Sequence, residues 1–285
     1  MMPTHLLLSM VIPAHNEAEN LPAVLDGLLT TLDEAAIPFE IIVVDDNSSD
    51  ATPQVAETYG QRDPRVRLVR RTPPPGFGRA IRSGIEAVRG DVVIVYMADL
   101  SDHPEDAVRC FRKIADEGYD CVFGSRFTKG SHITDYPLRK LIANRIVNRM
   151  IQFIFWCPFN DLTNAFKAYR TSVLEDIGPC RASHFNITIE LSLGALIRNY
   201  NCVQIPISWT GRTWGVSKLR MKEMGRKYLS VLIRAFAEKM LISDDLMAER
   251  LARKVQRERA IAEIHSRLTA VEARLDHLEG RPSDT

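Results

Sequence analysis

No apolar stretch in this sequence approaches, free of charge, the roughly 18 residues that a bilayer-spanning helix needs, so no transmembrane segment is expected. Cysteine is sparse: Cys110, Cys121, Cys157, Cys180 and Cys202 are the only five, and none forms a CxxC pair. An odd, scattered set argues against a disulfide framework or a zinc site and fits buried thiols in a reducing cytosol. Charge of one sign is also missing. With 37 Lys/Arg against 36 Asp/Glu the net charge is +1. No global field then favours nucleic acid, no recognition motif for it is present, and it is excluded as a partner. The opening residues, MMPTHLLLSMVIPAHNE, have no basic start and no small-residue cleavage site. Pro13 interrupts their apolar run, so a first strand is expected there and not a signal peptide. What is present is core: 45% of the 285 residues are hydrophobic and 26% charged, enough for one large domain or two small ones.

Four runs have strand length: 6–12, 40–46, 65–70 and 91–99, with a further candidate at 121–127. Strands that are apolar throughout, without alternation, suit a parallel sheet covered on both faces. Helical periodicity fills the gaps at 17–34, 50–60, 78–89 and 104–117. Strand–helix alternation predicts right-handed crossovers and a doubly wound sheet. Ligands of such sheets sit at the carboxyl ends of the strands.

After about residue 130 the pattern changes. Residues 137–157 read as an amphipathic helix that turns wholly apolar, 186–199 as another helix, and 202–209 as a short strand. Residues 216–241 form a long basic amphipathic helix and 245–279 a charged one. In the last, Ile261, Ile264, Leu268, Val271, Leu275 and Leu278 follow 3-4-3-4-3 spacing, an a/d seam that suits self-association or packing on the chain's own domain. The expected organisation is a catalytic domain at 1–215, a basic helix at 216–243, a coiled-coil helix at 244–280 and a disordered tail at 281–285.

Three polar clusters follow strands. In VIPAHNEAENLP (11–22), Asn16 and Glu17 stand near a helix start, where they equally serve as cap and dipole partner. In VVDDNSSDAT (43–52), Asp45 and Asp46 at a strand end repel unless they face a ligand or cation, and Asp50 suits the cap of the next helix. In YMADLSDHPED (96–106), Asp99 closes the fourth strand, where a carboxylate could hold a hard cation against a diphosphate.

In this order the clusters resemble the nucleotide-sugar domain of family-2 glycosyltransferases, and more narrowly the dolichol-phosphate mannosyltransferase subgroup that glycosylates polyprenyl phosphates. The motifs are VIPAHNE, IIVVDDNSSDAT, the glycine loop Gly76–Gly78–Ala80–Gly84, MADLSDHP, DLTNAFKAYR (161–170) and RTWGVSKL (212–219). They cover residues 7–220, about three-quarters of the chain. The resemblance implies a GT-A type Rossmann-like α/β fold: a mixed, mostly parallel sheet flanked by helices, with C-terminal amphipathic and coiled-coil helices.

It also implies roles. Pro13, His15, Glu17, Asp45 and Asp46 would line the base and ribose pocket with the loop at Gly78. Asp99, helped by Ser101 or Asp102, would hold Mg²⁺ or Mn²⁺. Arg126 and Arg139 would contact an acceptor phosphate, while Arg212 and Lys218 would close over the donor diphosphate, as arginine forks and lysine point charges suit phosphate oxygens. Glu190, in ITIEL, is the candidate base should the acceptor be a hydroxyl. The family's Asp-Ala-Asp triplet is here Met97-Ala98-Asp99, and a thioether is a poor ligand for such an ion.

The implied activity is inverting transfer of a hexose, mannose from GDP-mannose, to a polyprenyl phosphate. Alternatives are a saccharide hydroxyl as acceptor in envelope polysaccharide synthesis, or a catalytically silent scaffold subunit. A lipid acceptor calls for a peripheral place at the cytoplasmic membrane face. Helix 137–157 and the segment 212–240, with eight Lys/Arg against two Glu, could supply it. A homo-oligomer through 261–278 is expected.

Overall fold

A computed structural model describes residues 6–211 and 221–279, with backbone only at 221–224, 265 and 270–279. The chain runs β1 (Leu8–Ala14), α1 (Leu21–Glu34), β2 (Phe39–Asp45), α2 (Thr52–Arg62), β3 (Val66–Arg70), α3 (Phe77–Glu86), β4 (Val92–Val95), α4 (Pro104–Ala115) and β5 (Cys121–Ser125). It continues β6 (His132–Thr134), α5 (Leu138–Phe155), β7 (Lys167–Arg170), α6 (Thr171–Ile177), α7 (Ile187–Ile197), β8 (Cys202–Pro206), β9 (Ser208–Thr210), α8 (Met221–Leu241) and α9 (Ser243–Glu279). The alternating first half agrees with the sequence expectation to within a few residues per element. The expected strand at 202–209 is two short strands, and the expected start of α8 at 216 lies outside the described residues.

Seven strands form one sheet in the order β3-β2-β1-β4-β7-β5-β8. All neighbours are parallel except β7, which runs antiparallel between β4 and β5. The sheet is therefore mixed and mostly parallel, as the GT-A expectation requires. Every residue of β1, β2, β4 and β5 is buried. That burial on both faces is why these strands read as unbroken apolar runs. A second, two-stranded sheet pairs β6 with β9.

Helix α3 lies unusually close to the sheet because of Gly84. A Cβ there would stand 2.3 Å from Val11 Cγ1 and 3.1 Å from Val44 Cγ2. Any side chain would push the helix off β1 and β2. Residues 1–240 and 241–285 are two compact units. The second is the charged helix α9, on which Ile261, Ile264 and Leu268 are more than half exposed. Among the described residues no helix is long and apolar enough to cross a membrane.

Candidate active site

The carboxyl ends of β1, β2 and β4 open onto one cavity of about 430 Å³. Each is followed by a residue with positive φ: Asn16 (55°), Asn47 (63°) and Leu100 (61°). Asparagine tolerates that region, but leucine is uncommon there, so the turn at Leu100 is strained. The strain turns the chain directly after Asp99, at the place where a functional carboxylate was expected.

The first two loops are laced together. Asn16 N–H donates to Ser48 Oγ at 3.0 Å, and Ser49 N–H donates to Asn16 Oδ1 at 2.8 Å. Asp50 accepts from Thr52 N–H (3.0 Å) and Oγ (2.6 Å), while the N-cap position of α2 is Ala51 and not the expected Asp50. Pro13, His15, Glu17 and Asp46 all line the cavity. His15 Nδ1 meets the Asp46 carbonyl at 2.8 Å, and Glu17 accepts from Asn20 Nδ2 at 2.7 Å. Asp46 accepts from Gly76 N–H at 2.6 Å and pairs with Arg71.

Asp45 takes another course: it is buried, accepts from Ser48 N–H at 3.1 Å and does not reach the cavity wall. Strand pleating sends adjacent side chains to opposite faces, so only one of the two aspartates faces the ligand side. Gly78 also lies off the wall. Its role is close packing, since a Cβ would fall 2.6 Å from Ala182 O and 2.8 Å from His184 O. Phe77 and Gly76 are the wall residues of that loop, and Phe77 stacks on Phe185 at 4.1 Å.

Two acids line the same cavity. Asp99 accepts from Ser101 N–H (3.2 Å) and Oγ (2.5 Å). Ser101 thus orients Asp99. Asp102 accepts from Met97 N–H at 3.1 Å through Oδ2, while its Oδ1 is buried without a hydrogen-bond partner among the described residues. Burial, and next the nearby Asp99 charge, pushes the Asp102 carboxyl up to about 8. A carboxylate oxygen left unpaired in a cavity wall beside another acid is costly unless a cation completes it. Oxygen donors are what Mg²⁺ and Mn²⁺ take, and magnesium ordinarily draws only one or two carboxylates from the protein and the rest from phosphates and water. The pair Asp99/Asp102 fits that habit, and among the described residues there is no larger acidic or histidine cluster. Asp102 is a second carboxylate on the same wall as Asp99, where Met97 offers none.

The cavity wall also carries cations. Arg126 lines it but is held from below by Asp161, with Nε donating to Oδ2 at 2.8 Å and Nη2 to Oδ1 at 2.7 Å. Its Nη1 donates to Tyr136 Oη at 3.1 Å. Arg139 is exposed and off the wall; Lys140, its neighbour, lines the cavity with its ammonium 5.7 Å from the Tyr136 ring. Lys227 and Tyr228 arrive from α8, and Trp209 from β9. The Asp99 loop is stitched to β9, with Thr210 N–H donating to Ser101 O at 3.0 Å and His103 Nε2 meeting Thr210 Oγ at 3.1 Å. Arg212 and Lys218 lie outside the described residues.

Glu190 does not line the cavity. It accepts from Arg181 N–H at 3.0 Å and Ala182 N–H at 2.7 Å, and pairs with Arg234 of α8. A base must reach the substrate proton; this carboxylate instead ties down the loop carrying His184 and Phe185. Sequence reasoning missed Phe77, Lys140, Phe185, Trp209, Lys227 and Tyr228 as wall residues. They come from five segments, and only the fold brings them together.

Residues 9–178 match the family described as Glycosyl transferase family 2. The chain is 34% identical over 215 residues to polyprenol monophosphomannose synthase of Mycolicibacterium smegmatis, covering 73% of this chain and 79% of that protein. It is 31% identical over 220 residues to dolichol-phosphate mannosyltransferase of Pyrococcus furiosus, covering 75% of this chain and 59% of that one. Its fold is similar to that of glucosyl-3-phosphoglycerate synthase from Mycobacterium tuberculosis, solved with UDP, at a TM-score of 0.62 and 21% identity over 82% of this chain and 81% of that one. The same synthase has been solved with Mn²⁺ and UDP-glucose, at a TM-score of 0.61 and 19% identity over 82% of this chain and 80% of that one. With the family matched over most of the sheet and its carboxyl-end loops, this chain belongs to glycosyl transferase family 2 and is a glycosyltransferase.

Proposed function

We propose that the chain moves mannose from GDP-mannose to a polyprenyl phosphate at the cytoplasmic face of a membrane, with a divalent cation. One observation carries this reading: a single cavity brings together an acidic pair, Asp99 and Asp102, and the cations Arg126, Lys140 and Lys227. That combination of charges suits a substrate pair made of a metal-bridged diphosphate and a phosphate acceptor. The names of the two relatives support the same donor and acceptor class.

Asp99 and Asp102 would hold the cation, which when bound would neutralise charge on the departing diphosphate. His15, Glu17 and Asp46 would grip base and ribose, while Phe77 and Phe185 supply an apolar wall. Arg126 and Lys140 would orient the acceptor phosphate behind the anomeric carbon. The new bond from a phosphate oxygen to that carbon forms as the bond to the diphosphate breaks. The nucleoside diphosphate leaves with the electron pair, through an oxocarbenium-like transition state with inversion. A phosphate monoester has a second pKa near about 6, so its oxygen attacks without a protein base. The position of Glu190, off the cavity wall, accords with that.

Exposed apolar ridges support a peripheral membrane position. Leu138, Ile142, Ile146, Met150 and Phe153 follow one face of α5, and Leu229, Ile233, Phe236 and Met240 one face of α8. The helices touch where Phe155 meets Phe236, with ring centroids 6.5 Å apart. Contiguous exposed apolar surface of this kind marks an interaction site. The seam on α9 supports self-association of the chain. The test is a product assay with radiolabelled nucleotide sugars and undecaprenyl phosphate, with and without Mn²⁺. Mannolipid from GDP-mannose is expected, and Asp99→Ala should abolish Mn²⁺-dependent donor binding in calorimetry. Product on a saccharide hydroxyl alone would overturn the reading.

A further inference from the structure

The geometry points to a second anion site, on the flank of α5, that takes the phosphate headgroup of an anionic phospholipid; it rests on the membrane-face reading above. A cavity of about 250 Å³, separate from the donor cavity, is lined by Phe127, Arg145, Arg149, Gln152, Pro158 and Asn160. Its cations are two guanidinium groups one helical turn apart, and no acidic side chain lies on its wall. Neither arginine has an acidic partner among the described residues.

The cleft is shaped as well as charged. The Arg145 guanidinium carbon stands 5.1 Å from the Phe127 ring centroid, and that contact leaves the N–H fork available to oxygen acceptors. The floor is pinned: Gln152 Nε2 donates to Pro158 O at 3.1 Å, and Asn160 Oδ1 accepts from Ser125 Oγ at 2.6 Å. Two like charges sharing a cleft repel, and an intervening phosphate turns that repulsion into charge-assisted hydrogen bonds. None of the donor-site or acceptor-site residues proposed above lines this cleft.

Helix phase selects a lipid over a free phosphate. At about 100° per residue, Arg145 and Arg149 fall immediately beside the exposed ridge of Ile142, Ile146, Met150 and Phe153. An amphipathic helix lies with its apolar face at the boundary of headgroups and acyl chains, which puts flanking arginines at the level of lipid phosphates. The cleft then fixes the rotation of α5 about its axis, and with it the height of Lys140 and Asn144, which line the main cavity.

The test is co-sedimentation of the full chain with vesicles of neutral phosphatidylcholine, and of phosphatidylcholine with phosphatidylglycerol, for the wild type, Arg145→Gln/Arg149→Gln and the charge-matched control Arg62→Gln/Arg112→Gln. Thermal shift with inorganic phosphate runs beside it. The wild type is expected to prefer the anionic vesicles. The cleft variant should lose that preference by on the order of tenfold or more while still binding neutral vesicles, and the control should keep it. An unchanged preference in the cleft variant, or equal losses in cleft variant and control, overturns the proposal and leaves the membrane placement standing. A phosphate-induced thermal shift that the cleft variant abolishes without any change in vesicle preference assigns the cleft to free phosphate and overturns the lipid. Absence of wild-type binding to either vesicle overturns both readings.

Discussion

Asp161 grips Arg126 through both carboxylate oxygens, at 2.7 and 2.8 Å, and both side chains are buried. Arg126 N–H also donates to Asp161 Oδ2 at 3.0 Å, so the aspartate fixes backbone and side chain together. Such a pair does not announce net stability, because desolvation offsets its attraction. Its function is to aim Arg126. Asp161→Asn should cost about 3–5 kcal/mol of stability, as breaking a buried pair does, and should raise the acceptor KM more than the donor KM. Chemical denaturation and two-substrate kinetics measure both. Arg126→Lys should not rescue function, since one ammonium cannot reproduce the bidentate fork. Equal effects on both KM values would remove Arg126 from the acceptor side.

Asp102 is a residue whose stability and activity costs should separate. Its carboxyl, pushed up to about 8, is buried with one oxygen unpaired among the described residues. Asp102→Asn removes a charge that burial penalises, so the metal-free protein should gain about 1–2 kcal/mol at pH 8. The same change deletes an oxygen donor, so Mn²⁺-dependent donor binding should weaken by about tenfold or more. Thermal unfolding and calorimetry at one pH give both numbers. Loss of stability with unchanged donor binding would make Asp102 a structural acid.

The donor half of the site was legible from sequence because it is local. Parallel strands end in loops at a known face, so VIPAHNE, VVDD and MADLSD had to converge. What failed was phase. Asp45 and Asp46 differ by one residue, and pleating sends them apart. Arg139 and Lys140 differ by one residue, and about 100° of helix turns the first to solvent and the second to the cavity. β7 was missed because Lys167 breaks the apolar pattern that marked the other strands. The aromatic wall was illegible for another reason: Phe77, Phe185, Trp209 and Tyr228 come from four distant segments, and no local pattern links them.

Glu190 should prove a positioning residue. Its carboxylate accepts two backbone N–H groups and pairs with Arg234, joining the 181–182 loop to α8. Glu190→Gln keeps the shape and loses the charge. The expected result is about 1–2 kcal/mol less stability, with kcat within about threefold on a phosphate acceptor. A collapse of kcat with stability intact would restore the base.

Lys167 sets a pH dependence. It is fully buried, its ammonium reaching Leu162 O at 2.6 Å, Thr188 O at 3.0 Å and Ser192 Oγ at 2.6 Å. Burial brings its pKa down from 10.5 to about 7. Between those values the unfolded chain holds a proton that the folded chain has released, so stability should rise with pH, by up to about 1.4 kcal/mol per unit. Stability of the wild type relative to Lys167→Met, followed from pH 6.5 to 9.5 by denaturant titration, isolates that rise. A flat difference would mean that the three acceptors hold the lysine charged throughout.

The last prediction concerns α9, a helix of 37 residues whose Ile261, Ile264 and Leu268 remain more than half exposed. A polar helix this long gains little from its own propensity, and tertiary or quaternary burial of a seam is what usually stabilises one. The 3-4 spacing of that seam matches a coiled coil, which asks for a second copy of the same helix. Sedimentation should therefore find an oligomer, and Ile264→Lys/Leu268→Lys should yield monomers with lower helix content. The sugar transfer is expected to survive the change, since every residue assigned to donor or acceptor lies in the 1–240 unit. A monomeric wild type with undiminished helicity would show that the seam is not what holds α9.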